Sequence, residues 1–495
     1  MKADPNLETL TLAYLDGSLD SVGARKLNEL LAADREARVY FSEALNLDSA
    51  IAALAAGWQE PVATVDLRER STRRFPRFAM VAALIALLAG SWVWWGRGWR
   101  DGVSHYATVE RGLGVQNLPD GMTLGSEVHA ITAGTVELRT ASDVHLIIEA
   151  PAEFRFESPQ RLHLNTGRLT AEVPPEAKGF AVLTPTGDAI DLGTRFGVDV
   201  SEEGGAEIHV FEGEVIAKTN GTAESLSLRA GDALLMNSGA SMVRELRSSA
   251  FIQHDEMREL RAGPGMAQRS HAEAVLDELR KDPAKIAVLD FESNHPYPGV
   301  YRKVQGRWPG SHAPEFIHPG DHLKLNVGGE RTWPRLTLAA WVRLDQLGAL
   351  YQSLLHADGW EEDDFGLVHW MVNDATTMRF AMSGNILAPG SAETQAYPDS
   401  RTPVAPDQGR WVHLATVYDS TTGTVRFYHN GRLDKVARQS TAYPARLGAM
   451  QIGNWNREER KLSGRVDELV ILGRAMSDEE IRILFEVGNP YPQIQ

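Results

Sequence analysis

PTGDAIDLGTRFGVDVSEEGGAEIHVFEGEV, residues 185–215, alternates apolar and polar positions with a period of two. Phe196 and Val198 fall on one face of a strand, and Ile208 and Val210 on one face of the next. A helix would need apolar residues three and four apart, so the stretch reads as half-buried β structure. Gly193 reads as a point where the backbone passes too close for a side chain, and Gly213 as the turn of a hairpin between Val210 and Val215.

The same period extends outward. Val136 and Leu138, then Val144, Leu146 and Ile148, precede the stretch, and Leu226-Ser227-Leu228 follows it. Gly112, Gly121, Gly134, Gly167, Gly187 and Gly231 punctuate these runs at turn positions. Residues 103–245 are therefore expected to form an all-β sandwich or stacked barrel. Asp188, Asp191, Asp199, Glu202 and Glu203 could gather a cation, but acidic residues at strand ends are usually solvated. His145, His163 and His209 occupy alternating strand positions and read as structural. The run Leu192-Gly193-Thr194-x-Phe196, with LRAGDALLM at 228–236, resembles the core of the FecR family. The resemblance implies a protein that relays an outside signal through one membrane span to a cytoplasmic sigma factor. In it, Gly193, Thr194, Phe196 and Gly213 serve the fold rather than chemistry.

Residues 78–95, FAMVAALIALLAGSWVWW, carry no charge. At ~1.5 Å rise per residue they nearly cross a ~30 Å hydrocarbon layer, and their flanks supply the rest. Arg68, Arg70, Arg73, Arg74 and Arg77 precede the stretch, and Trp92, Trp94, Trp95 and Trp99 crowd its far end. A transmembrane helix is expected over 78–96, with the lipid bilayer as a partner. The basic excess before it places the N-terminus in the cytoplasm. The bulk of the chain is then periplasmic or otherwise extracytoplasmic, on the outer side of a bacterial inner membrane.

Before the span, Leu7, Leu10, Tyr14 and Leu15, then Leu27, Leu30 and Leu31, recur at helical spacing. Residues 1–60 are expected to form a small helical bundle, and 61–77 a Pro/Thr/Arg-rich linker. The run LAYLDGSLDSVGARKLNELLAADREARVYFSEAL, 12–45, resembles the cytoplasmic domain of anti-sigma-factor-like membrane regulators. That resemblance implies a sigma factor as partner. The zinc-binding version of the domain needs a His and paired Cys. This chain has no Cys, and its first His is His105.

Residues 248–284 read as two polar helices split by Gly263-Pro264-Gly265, a spacer holding the last domain away from the middle one. From 285 to 488 the period of two returns, with an Asn430-Gly431 turn suited to a hairpin. A closing helix follows, with a capping box at Ser477 and Glu480. Ala340-Trp341-Val342, Trp411-Val412-His413 with Tyr428-x-Asn430-Gly431, and Gly464-Arg465-Val466-Asp467-Glu468-Leu469 resemble the LamG-like jelly roll of the concanavalin-type class. The resemblance implies a β-sandwich that hosts lectins, enzymes and interaction modules alike.

Glucanases of this fold use an E-x-D-x-E strand, which the chain lacks. Asp467 and Glu468 are adjacent, so on a regular strand they point to opposite faces. No catalytic residue is expected. Sugar rings stack on exposed aromatics, and Trp360, Trp370, Tyr397 and Trp455, with Asn454, lie in or near expected loops. Asp358, Asp363 and Asp364 belong to the densest acidic run of this domain and could supply oxygens to a calcium ion. A solvated acidic loop with core Trp residues fits the same pattern.

The fold class expected is mainly β, preceded by a small helical bundle and one transmembrane helix. With no Cys among 495 residues, disulfides and thiolate metal sites are excluded. A net charge of -16 argues against nucleic acid as a partner. Two functions remain. One is a single-pass regulator that senses an extracytoplasmic glycan or protein ligand and controls an extracytoplasmic-function sigma factor. The other is a membrane-anchored carbohydrate-binding or adhesion protein.

Overall fold

A computed structural model describes residues 105–492 except 223–224, 294, 361–364, 385–393 and 455–460, and also Lys26. The expected helical bundle, linker and membrane helix lie outside the described residues. Among those described, no helix is long and apolar enough to cross a membrane. Residues 101–495 form one compact unit.

Its first body is a sheet of fourteen strands among the described residues, antiparallel but for the pairing of Arg161–Glu172 with Ala181–Thr184, and built around the long hairpin of His145–Ser158 and Arg161–Glu172. The alternation seen in the sequence sorts Leu146, Ile148, Leu164, Leu169, Phe196, Val198, Ile208 and Val210 into one core. Two glycines play other parts than expected. Gly213 is not a hairpin turn. The strands on either side of it, Ala206–Glu212 and Glu214–Thr219, pair with different partners, so Gly213 is a corner between two arms of the sheet. It has φ +81°, and a Cβ there would meet Thr194 Cγ2 at 2.5 Å. Gly193 faces open space, and its φ of +98° is what demands glycine. Asp191 accepts hydrogen bonds from the Gly193 N–H at 2.6 Å and from the Thr194 hydroxyl, which fixes this turn.

The second body is a sandwich of two sheets, nine and six strands among the described residues. Strand Arg335–Leu344 shows how its layers arise. Leu336, Leu338, Ala340, Val342 and Leu344 face the six-stranded sheet across the main core. Ala339 on the opposite face packs under helices α2 (Gly265–Lys281) and α3 (Asp478–Gly488) through Leu276, Ile481 and Leu484. The capping box at Ser477 and Glu480 is formed. Asn430 and Gly431 both have positive φ and close the hairpin of Thr424–His429 and Arg432–Gln439.

The connector does not hold the bodies apart. In α1 (His254–Ala262), Met257 packs with Ile147 of the first body, while Glu256 pairs with Arg343 of the second. The bodies also meet directly through buried charges. Arg168 reaches Asp199 at 2.8 Å and Glu315 at 2.9 Å. Arg465 reaches Glu149 at 3.0 Å and Glu315 at 3.2 Å. Arg302 donates to both oxygens of Asp199 at 3.0 Å, and Arg247 to Glu207 at 2.6 Å. Asp199 is therefore no solvated strand end but the centre of the seam, 3% exposed. The four arginines match the four carboxylates, and the connector carbonyl of Ala250 accepts from Arg168 and Arg465. Burial alone would raise the Glu315 carboxyl, yet Arg168, Arg465 and Arg302 hold it well below the usual carboxylate range.

Candidate functional site

The six-stranded sheet runs in the order Gly299–Val300, His322–Trp333, Ala445–Ile452, Tyr351–Ala357, Val368–Asn373, Met378–Met382. Its inner face is the core. Because side chains alternate along Val368–Asn373, Val368, Trp370 and Val372 point inward and His369 takes the outer face. On Tyr351–Ala357 a register shift between Ser353 and Leu355 sends Leu354, Leu355 and Ala357 inward and pairs His356 with His369. Gln451 pairs with His356 from the third strand.

The outer face therefore carries a row of Gln451, His356 and His369. The two imidazoles stack at 4.2 Å and 7°. Trp360, half-buried, lies over His369 with ring centroids 4.0 Å apart. Tyr397 stands 6.3 Å from Trp360. His369 Nε2 lies 3.1 Å from the Ala357 carbonyl, and Gln451 Nε2 donates to Asp358 Oδ1 at 2.8 Å. The imidazoles are 0% exposed and Gln451 6%, so it is the half-buried Trp360 and Tyr397, beside the Asp358 carboxylate, that offer a hydroxylated ring an apolar face and a polar edge.

Of the residues singled out in the sequence, Trp360 and Tyr397 meet here, and Asp358 borders them through Gln451. Asn454 is buried just beyond Ala445–Ile452. Trp370 does not belong to this face. It is fully buried in the core, because it follows His369 on a strand whose alternate residues turn inward. Trp455, Asp363 and Asp364 lie outside the described residues. Among the described residues no three His, Asp or Glu side chains group as metal ligands would. His356, His369 and Gln451 escaped sequence reading. Their one signal was a His at an outward position on each of two otherwise apolar strands.

The motif residues of the second body sit behind the other sheet. Trp341 is 2% exposed, stacks with Phe485 at 5.7 Å, and has the Arg307 guanidinium 4.7 Å from its ring. The Trp411 N–H donates to the Tyr491 hydroxyl at 2.9 Å. Asp467 and Glu468 do not diverge as a regular strand would have them. Glu468 adopts φ +50° where the pairing with Arg335–Leu344 shifts register, and both residues meet Arg307. Asp467 accepts the Arg307 N–H at 3.0 Å, and Glu468 pairs with its guanidinium. Burial, set against a single arginine, raises the Asp467 carboxyl to about 7. These groups are sealed in the fold and form no open carboxylate pair.

Residues 128–216 match the FecR protein family, and residues 320–482 match the concanavalin A-like lectin/glucanases superfamily. No curated protein matches the chain. Among solved structures, an anti-sigma factor candidate from Parabacteroides distasonis ATCC 8503 is 17% identical, with a TM-score of 0.23 over 25% of this chain and 62% of its own. The ligand-binding domain of botulinum neurotoxin serotype D, solved with N-acetylneuraminic acid, is 13% identical, with a TM-score of 0.32 over 43% of this chain and 52% of its own. This chain thus spans less than two thirds of either structure. It joins a FecR segment to a concanavalin A-like segment.

Proposed function

We propose that the chain is a single-pass membrane regulator whose β bodies sense a ligand outside the inner membrane and whose N-terminal segment controls an extracytoplasmic-function sigma factor. The observation that carries this reading is the FecR match over 128–216, placed after the uncharged stretch 78–95. A ligand can switch such a protein only by binding one state of it more tightly than another. The protein would act by binding rather than by bond cleavage. The test is recovery of a sigma factor with the full chain extracted from membranes, and its loss when residues 1–60 are deleted. A full chain that brings down no sigma factor would count against the regulator. Reporter fusions at the two ends should report opposite sides of the membrane.

A second reading, a membrane-anchored carbohydrate-binding protein, is favoured by Trp360 and Tyr397 on the outer sheet face together with the concanavalin A-like match. It requires binding on a glycan array that Trp360→Ala abolishes.

A further inference from the structure

The seam between the two β bodies is not closed along its whole length. Where strand Arg195–Val200 ends, the turn Ser201 to Glu203 faces Tyr297 and Tyr301 of the second body across a cavity of about 410 Å³. Pro151 and Pro296 add apolar walls, and Thr166 and Glu202 add hydrogen-bonding groups. A second cavity of about 290 Å³ adjoins it, for Ser201, Glu203 and Arg302 line both. Arg244 and Arg247 reach this second space. Clefts between domains, part apolar and part polar, are where small ligands are commonly held.

Three carboxylates, Asp199, Glu203 and Glu207, and three arginines, Arg244, Arg247 and Arg302, line the second cavity, and their pairing is uneven. Asp199 is occupied by Arg168 and by both nitrogens of Arg302. Glu207 accepts from Arg247 Nη2 at 2.6 Å and lies 3.2 Å from His209 Nε2. Glu203 stands exposed at the mouth. Arg247 is 5% exposed, and its Nη1 has no hydrogen-bond partner. A buried donor left unmet is costly, and an oxyanion would satisfy it. Arg244, exposed on the edge strand Ala240–Arg244, has no ion pair among the described residues. Burial, and then Arg247, push the nearby Lys461 ammonium below its usual range.

We propose that the joined cavities bind an acidic saccharide, with its ring against Tyr297 and Tyr301 and its carboxylate at Arg244 and Arg247. The tyrosine faces suit the C–H side of a sugar, while Ser201, Thr166 and Glu202 suit its hydroxyls. Two arginines suit a carboxylate. The proposal supplies a ligand for the sensing half of the regulator reading, but it rests on the seam's own geometry. A binding assay without sigma factor lets either fail alone.

The test is calorimetric titration of the detergent-held full chain with galacturonate and glucuronate, with their neutral parents galactose and glucose, and with inorganic phosphate. At least one uronate should bind about tenfold more tightly than its neutral parent and than phosphate. Arg244→Gln should weaken that binding about tenfold, since charged hydrogen bonds are worth that much. Its melting curve should be unchanged, because the side chain is exposed and has no ion pair among the described residues. Tyr297→Ala should weaken the uronate and leave phosphate as it was. Equal binding of uronate and parent would overturn the proposal, as would phosphate binding as well as either uronate. It would also fail if no uronate bound, or if the loss followed Trp360→Ala rather than Arg244→Gln.

Discussion

Arg168 and Glu315, 147 residues apart in sequence, are joined at 2.9 Å with 3% and 0% of their side chains exposed. This ion pair ties the FecR segment to the concanavalin A-like body. Charges so deeply buried stabilise little in sum, but an abandoned partner is costly. Glu315→Gln, or Arg168→Met, should therefore lower the unfolding free energy by about 3–5 kcal/mol. Urea denaturation followed by tryptophan fluorescence would measure it. A loss below about 1 kcal/mol would mean that water reaches the seam.

Acid should open the same seam. The neighbouring arginines keep the Glu315 and Asp199 carboxyls well below the usual range, despite burial that would raise them. A carboxyl with a depressed folded-state pKa contributes stability above its unfolded pKa of about 4 and loses it as pH falls further. Melting temperature should hold near neutrality and drop progressively below about pH 4. In Glu315→Gln the drop should be shallower.

Asp467 should act in the opposite sense. Its carboxyl titrates at about 7 in the fold, raised mainly by burial, with Glu468 sharing the same arginine. From about pH 4, the unfolded chain ionises this group while the folded chain keeps its proton, so stability falls up to about pH 7 and then levels. Asp467→Asn removes that loss. The variant should match the parent near pH 4 and melt higher at pH 8. Equal melting at both pH values would show that the group is ionised throughout.

The two glycines of the FecR segment should separate by cost. Gly193→Ala meets only the penalty of positive φ, about 1–2 kcal/mol. Gly213→Ala meets that penalty and a 2.5 Å approach to Thr194 Cγ2. It should cost about 2–3 kcal/mol, readable as a lower urea midpoint. Equal costs would mean that the corner at Gly213 relaxes freely.

Two tryptophans thought equivalent from sequence should part in the same assay. Trp370→Ala empties the sandwich core and should cost about 3–5 kcal/mol. Trp360→Ala loses a stacking contact with His369 and should cost about 0.5–1.5 kcal/mol.

Both β bodies were legible in the sequence because their strands bury one face at a time. Phe196 and Val198, or Leu336 and Leu338, declare that face by a period of two. The Asn430-Gly431 turn and the Ser477 cap were legible for a similar reason, since each depends on residues a few positions apart. The candidate site was half legible. Trp360 and Tyr397 stood out as aromatics near loops. Trp370 stood out equally, and only the strand's pleat turned it inward.

What the sequence determined alone is local: where strands alternate, where turns need glycine or asparagine, and where a long uncharged stretch stands apart. Tertiary structure decided what depends on partners far along the chain. It alone set Arg168 against Glu315 and Arg465 against Glu149, 316 residues away, and left Arg247 Nη1 facing no acceptor. It alone turned Gly213 from hairpin to corner and brought Asp467 and Glu468 to one arginine. A charged side chain reads as solvated in any sequence window, and only packing that withdraws water requires it to find its counter-charge.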